Sequence, residues 1–332
     1  MTRSRTWAFS GMTLSAALVA LVALAGCATS TAGGSTAKGP VSVAYAGSLV
    51  NLMEHKLGPA FDSATGYTFQ GRGAGSTALA NQIKSKLITP DVFISASAAA
   101  YKPLEGSANG NLVRWRITFA TSSMVIGYNP KSQFAAQLNA AASGQTPWYQ
   151  ALETSGLRLG RTDPKLDPKG VNTLYTLQLA EQYYHQPGLE QALTGGVQNP
   201  HQIFPEEELV ARLTSGQLDA GFFYLNEVKD AGLPYITLPA QINLGDPSLA
   251  SAYAQASYTT AAGVTQHGAP IAFSVTIPAT VRHEAGAEAF VAYLLGSKGQ
   301  TALKADGFAV TSPTLTGDAS QVPSGLKSFV TP

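Results

Sequence analysis

Between residues 41 and 94 the chain alternates between short apolar runs and helical spacing, and that alternation limits its fold more than any other feature. Val41-Ser-Val-Ala-Tyr45 reads as a strand broken by Ala46-Gly47-Ser48. Leu49, Leu52, Met53 and Leu57 then recur at helical spacing. A second short strand lies around 67–70, and the run Gly71-Arg72-Gly73-Ala74-Gly75-Ser76 reads as a glycine-rich turn. Ser76 and Thr77 are good caps for a helix through Leu79, Ile83 and Leu87, and Pro90-Asp91-Val92-Phe93-Ile94 is a buried strand. Strand, helix, strand, helix, strand is the pattern of an α/β fold, a parallel sheet with helices on its faces. A second α/β region follows. It has strands at 123–128, 158–161, 220–224, 235–238 and 270–278, and helices at about 171–184, 209–213, 285–295 and 299–306. A length of 332 residues suits about two domains. With 45% hydrophobic and only 12% charged residues, the chain can bury a real core, which excludes disorder throughout.

The first segment sets the compartment. Residues 1–26 begin with Arg3 and Arg5, continue through an apolar run and close on small residues, the plan of a secretory signal peptide. Leu24-Ala25-Gly26-Cys27 resembles the lipobox of bacterial lipoproteins, which implies cleavage before Cys27 and lipid on its sulfur. Residues 27–39, small, polar and rich in glycine, then form a flexible tether. We therefore expect an exported, membrane-anchored protein on the extracytoplasmic or periplasmic side. No later segment has about 18 uninterrupted apolar residues, so the body is expected to be soluble. The whole chain carries 21 basic and 20 acidic residues, and removing Arg3 and Arg5 leaves 19 against 20. No basic excess exists to neutralise a phosphate backbone, so nucleic acid is not an expected partner. One cysteine excludes a disulfide within the chain and any multi-cysteine metal site.

The glycine run fails as a nucleotide motif. Ser76-Thr77 follow Gly75 where a P-loop needs lysine, and Ser76 replaces the sixth-position glycine of the dinucleotide fingerprint. Neither Ser48 nor Ser76 lies in a G-x-S-x-G elbow, and the five histidines do not form a zinc-hydrolase spacing. What remains is two serines, each following a strand and opening a helix. Serine at such a place is ordinarily an N-cap. Two such junctions at the carboxyl ends of strands in one sheet also make an anion cradle, because helix starts present unpaired N–H groups and partial positive charge.

These junctions belong to an ordered series. Ala46-Gly47-Ser48-Leu49, Gly75-Ser76 and Pro90-Asp91-Val92 are followed by Met124-Val125-Ile126, Gly160-Arg161-Thr162-Asp163-Pro164 and Asp167-Pro168-Lys169-Gly170. Tyr224, Leu238-Pro239 with Ile242-Asn243-Leu244, Thr276-Ile277-Pro278, and Leu294-Leu295 with Gly299-Gln300 complete it. Over nearly all of residues 40–310 the series resembles the periplasmic molybdate/tungstate-binding proteins of ABC importers, in the branch first described from archaea. The resemblance implies a two-lobed periplasmic-binding-protein fold of type II, each lobe a mostly parallel sheet flanked by helices, with the oxyanion in the cleft. Lobe I would comprise 40–122 and 269–326, and lobe II 123–268. It implies hydroxyl donors at Ser48 and Ser76, a backbone amide at or beside Lys169, the hydroxyl of Tyr224, and a further amide from the loop Phe204-Pro205-Glu206. It also implies an importer permease as partner, and no cofactor, no catalysis and no metal beyond the oxyanion's own. A monomer is expected.

The chain departs from that branch at its two carboxylates. Asp167 matches one, with Asp163 as a rival. Leu225 stands at the other, just after the tyrosine. Glu227, two residues on, would face the same side if the strand continued, but a surface position is the simpler expectation for it. Ser97 stands where many relatives carry an acid. Neutral donors suit a fully ionised tetrahedral dianion, and a carboxylate would instead accept a ligand's proton, which keeps phosphate open. Receptors for sulfate, phosphate or another small oxyanion therefore remain alternatives, as does a secreted α/β serine hydrolase built on one of the serines.

Overall fold

A computed structural model describes residues 38–330, so the leader, Cys27 and the tether up to residue 37 lie outside the described residues. Thirteen strands are present: β1 Pro40–Ala46, β2 Thr68–Ala74, β3 Val92–Ser95, β4 Trp115–Thr121, β5 Met124–Tyr128, β6 Leu159–Thr162, β7 Ile203–Phe204, β8 Ala220–Tyr224, β9 Tyr235–Thr237, β10 Ser257–Thr259, β11 Thr265–His267, β12 Ala272–Thr276 and β13 Ala309–Gly317. One six-stranded sheet has the order β13-β4-β12-β3-β1-β2, and one five-stranded sheet the order β7-β6-β8-β5-β9. β10 and β11 form a separate hairpin.

Both sheets are mixed, which corrects the expectation of mostly parallel ones. β1 runs parallel to β2 and β3, and β6 runs parallel to β7 and β8. The remaining pairings, β12 with β3 and β4, β13 with β4, and β5 with β8 and β9, are antiparallel. The reason lies in the crossings. Only Ser122 and Ser123 separate β4 in the first sheet from β5 in the second. β12 then brings the chain back to the first sheet. A strand arriving from the other sheet needs no crossover helix, so it is free to pair antiparallel.

Residues 71–74 of the expected glycine turn are instead the second half of β2, in full register with β1, and only Gly75 separates the strand from the helix that follows. A Cβ at Gly71 would lie 2.1 Å from Glu54 Oε1, and one at Gly73 would lie 2.4 Å from a methyl of Val50. The glycines thus let the helical run after β1 lie directly on the edge strand. β4 and β13 went unanticipated. β4 alternates buried and partly buried residues only over 115–118 and is buried throughout from Phe119 to Thr121, and β13 is a mostly exposed edge strand with Pro313 inside it and a register shift between Val310 and Thr314.

Packing positions the cleft. Phe61 meets Phe290 edge-on at 5.2 Å under the first sheet. Beside the second sheet, Leu209 and Leu213 of the helix Glu206–Thr214 are fully buried against Val125, Phe223 and Val228. Each such leucine contributes about 1.5–3 kcal/mol of burial, which holds the start of that helix at the cleft.

The return of the chain is pinned by Asp91. Its carboxylate accepts from the Ser42 N–H and hydroxyl (both 2.9 Å), and from the Arg282 N–H, His283 N–H and His283 Nδ1 (each 3.0 Å). Burial alone would raise this carboxyl, but the bonds from Ser42, His283 and Arg282 outweigh it and hold it below its ordinary range. A lowered carboxylate pKa contributes stability above the unfolded value, lost as pH falls through the folded one. Asp91→Ala is therefore expected to cost roughly 2–4 kcal/mol in denaturant titration at pH 7. The difference from wild type should shrink below a pH of about 3.8.

Candidate anion-binding site

The two serines come from adjacent parallel strands. In the register of β1 and β2, Ala46 lies opposite Ala74, and each is two residues before its serine. Ser48 sits in the turn Gly47–Leu49, 8% exposed, and its Oγ is buried without a hydrogen-bond partner. Ser76 is the first residue of the helix Ser76–Lys84 and is fully buried. Its Oγ accepts from the Ala96 N–H at 3.2 Å, which leaves the hydroxyl free to donate.

The second sheet supplies the charged groups. Asp167 caps the helix Pro168–Tyr184, its Oδ1 accepting from the Lys169 N–H at 3.0 Å, while Oδ2 is buried and unpartnered. Lys169 is fully buried in the first turn, where the helix dipole opposes its charge. Its Nζ donates to Glu227 Oε1 at 2.6 Å and lies 3.6 Å from Glu206 Oε1. The same nitrogen is 5.7 Å and 5.6 Å from the ring centres of Phe223 and Tyr224. Tyr224 ends β8, and its hydroxyl accepts from Asn172 Nδ2 at 3.0 Å. Its N–H donates to Glu227 Oε2 at 2.8 Å.

The two halves meet through these residues. Glu206 Oε2 accepts from the Gly47 N–H at 2.7 Å, the Ala78 N–H donates to the Leu166 carbonyl at 2.9 Å, and Asn226 Nδ2 donates to the Ser48 carbonyl at 3.0 Å. Gly75 belongs here too, since a Cβ on it would lie 2.5 Å from the Leu166 carbonyl oxygen. A cleft of about 500 Å³ opens beside Ser48, Glu206, Asn226 and Glu227.

Burial pushes the Asp167 carboxyl up to about 6 despite the Lys169 charge. Burial, then Asp167, pushes Glu206 well above its ordinary value. Burial and the acids raise the Tyr224 hydroxyl strongly. Burial alone would lower the Lys169 ammonium, but Glu227, Glu206 and Asp167 together hold its proton more firmly than usual. The cluster thus combines hydroxyl donors, one ammonium and three acids around buried, partly unpartnered atoms. No histidine hydrogen-bonds to Ser48 or Ser76, so neither serine has the base a hydrolase needs.

The structure brings Ser48, Glu206, Lys169, Asp167, Tyr224 and Glu227 to the meeting of the two sheets. It leaves Asp163 apart: that carboxylate accepts from the Lys165 N–H and from Gln198 Nε2 in a loop. Glu227 is not a surface acid but is buried at 7% exposure. Nor do 225 and 227 share a strand face, because the helix Leu225–Asp230 starts at once after Tyr224, with Glu227 bonding back to the Tyr224 N–H. Glu206 reaches the cluster through its side chain. The amides of Lys169, Gly170 and Val171 are all taken by Asp167. Sequence reasoning missed Asn172, Asn226 and Gly47. The glycine before Ser48 was the one available signal, since a Cβ there would lie 2.7 Å from Glu206 Oε2.

Two mixed sheets joined by short crossings, with buried polar groups where they meet, define the periplasmic-binding-protein fold. The chain belongs to the family of bacterial extracellular solute-binding proteins, whose profile matches residues 41–309. That is a family of solute-binding proteins, not of enzymes. It is 38% identical over 256 residues to a Haloferax volcanii protein provisionally described as an ABC transporter molybdenum-binding protein, covering 76% of this chain and 78% of that one. It is 27% identical over 318 residues to a molybdate/tungstate-binding protein of Thermococcus kodakarensis, covering 87% and 88%. The fold also matches the periplasmic molybdate-binding protein of Azotobacter vinelandii with a TM-score of 0.53 at 18% identity, over 82% of this chain and 99% of that one. Among the described residues no helix is long and apolar enough to cross a membrane.

A carboxyl raised from its ordinary 3.8 to about 6 favours the folded state when protonated, so its contribution is present below pH 3.8 and lost as pH rises to about 6. Asp167→Asn keeps the cap acceptor and removes the charge. It is expected to stabilise the ligand-free protein by about 2–3 kcal/mol at pH 7.5 and by little at pH 4, read by denaturant titration at both values.

Proposed function

We propose that this protein is a lipid-anchored receptor that captures molybdate or tungstate in the cleft between its two sheets and delivers it to the permease of an ABC importer. The observation that carries the reading is the Ser48 hydroxyl, buried and without a partner beside Ser76 at the ends of two paired parallel strands. A tetrahedral dianion has only acceptors and requires such donors. Ser48, Ser76 and the Tyr224 hydroxyl face it as neutral donors, with Lys169, Asp167 and Glu206 behind. The names of the Haloferax and Thermococcus relatives support the choice of anion. In this reading lobe I is 40–122 with 269–326, lobe II is 123–268, and the receptor works as a monomer. Phosphate is the second reading, favoured by the unpartnered acceptors Asp167 Oδ2 and Glu206 Oε1, which suit a ligand that carries its own proton.

Calorimetry on the mature body with molybdate, tungstate, sulfate and phosphate tests this. Molybdate and tungstate should compete for one tight site, with sulfate and phosphate far weaker. Ser48→Ala and Ser76→Ala should each lose about 10–150-fold in affinity with folding intact, the worth of one hydrogen bond to a charged ligand. Sulfate binding as tight as molybdate would replace the reading with a general anion receptor.

Anchoring is tested separately. Cells fed labelled fatty acid should incorporate it into the wild-type protein, and Cys27→Ser should abolish the label and free the protein from the membrane fraction. A wild-type protein that never takes up label removes the anchor from the proposal.

A further inference from the structure

Glu206, like Asp167, has one oxygen hydrogen-bonded and one without a partner, and of the two it alone lines the cleft. It is 3% exposed. Oε2 accepts from the Gly47 N–H at 2.7 Å, next to Ser48. Oε1 is buried and has no hydrogen bond. The nearest cation, Lys169 Nζ, is 3.6 Å away and already donates to Glu227 at 2.6 Å. The other titratable groups of the same pocket, His55, Asp230 and Asp306, make no hydrogen bond to Oε1. Asp167 and Glu227 add negative charge, and the turn Gly47–Leu49 brings only the Gly47 N–H and the Ser48 hydroxyl. Glu207 and Glu208 follow it on its own helix. The arginines of nearby strands are engaged elsewhere, Arg72 with Gln82 and Arg161 with Gly196, Val197 and Gln202.

We infer that Glu206 determines which oxyanion the cleft prefers: its carboxyl enters the complex as a neutral acid and donates its proton from Oε1 to a ligand oxygen. The inference rests on the reading that the oxyanion lies against Ser48 and Ser76. Lys169 balances Glu227. A dianion beside an ionised Glu206 and an ionised Asp167 would then leave four uncompensated charges in one buried space, a penalty that protonation relieves. Burial and Asp167 already push the Glu206 carboxyl in that direction. No bond to the proton is broken, since the proton stays on Glu206 and is shared across a hydrogen bond. Such a bond strengthens with the basicity of the acceptor. Molybdate and tungstate are conjugate bases of weaker acids than sulfate, so Glu206 would favour them by basicity, independently of cavity size.

Chromate and selenate separate the two effects, because they are close in size while chromate is far more basic. Calorimetry with these two anions, and with molybdate and sulfate, at pH 7.5 in two buffers of different ionisation heat gives both affinity and proton uptake or release. Wild type should bind chromate more tightly than selenate by about tenfold or more, and release no proton on binding molybdate. Glu206→Gln, which keeps a donor of the same shape, should bring chromate and selenate within about threefold of each other. Chromate and selenate binding equally to wild type, or binding with release of a proton, overturns the inference while leaving the anion receptor standing. Unchanged chromate preference in Glu206→Gln also overturns it. If no anion binds wild type, the receptor reading falls and the inference with it. Should Glu206→Gln fail to fold, the wild-type ratio and proton count decide alone.

Discussion

The buried ammonium of Lys169 is the charge around which the cleft is organised. Taking such an ion out of water costs several kcal/mol, and a helix start makes the position worse. The cost is offset by an ion pair at 2.6 Å with Glu227, by Glu206 at 3.6 Å and by two aromatic faces. Each partner is then tied to something further out. Glu227 fixes the end of β8 through the Tyr224 N–H, and Glu206 reaches across to Gly47 of the other sheet. One unfavourable charge thus links the core of the second sheet to the serine turn of the first.

Glycines make that link possible at backbone distances. Gly47 and Gly75 stand where a methyl group would collide with Glu206 and with the Leu166 carbonyl. The two sheets therefore meet where main-chain groups of the first, the Gly47 N–H and the Ser48 carbonyl, are held by the Glu206 and Asn226 side chains of the second, and where the Ala78 N–H meets the Leu166 carbonyl directly. The main-chain half of each contact has no rotamer freedom to lose, which helps to fix the serine turn beside the cleft.

The balance of donors and acids distinguishes this cleft from a simple helix-end cradle. In the proposed reading, the hydroxyls of Ser48 and Ser76 supply the neutral donors that a fully ionised oxyanion needs. Glu206 and Glu227 at the cleft, with Asp167 beside them, work against a dianion unless protons or the ammonium compensate them. The proposed selectivity of the site lies in that tension, with hydroxyls setting position and acids setting which anion is accepted.

The sequence by itself determined the alternation of strands and helices, the family resemblance, and the two serines at strand ends, because strand period, helical spacing and caps are local properties. It also placed Tyr224, Asp167 and Lys169 on a short roster of site residues. Only the tertiary structure decided that 71–74 is a strand, since the glycines there answer to Glu54 and Val50 rather than to a turn. It likewise turned Glu227 inward, because a helix begins at Leu225 and the buried Lys169 needed a partner. The antiparallel entry of β5 and β12 and the reach of the Glu206 side chain to Gly47 were equally invisible in the chain. They depend on contacts between residues 92 to 183 positions apart, and no local pattern encodes which distant backbone a side chain or strand will meet.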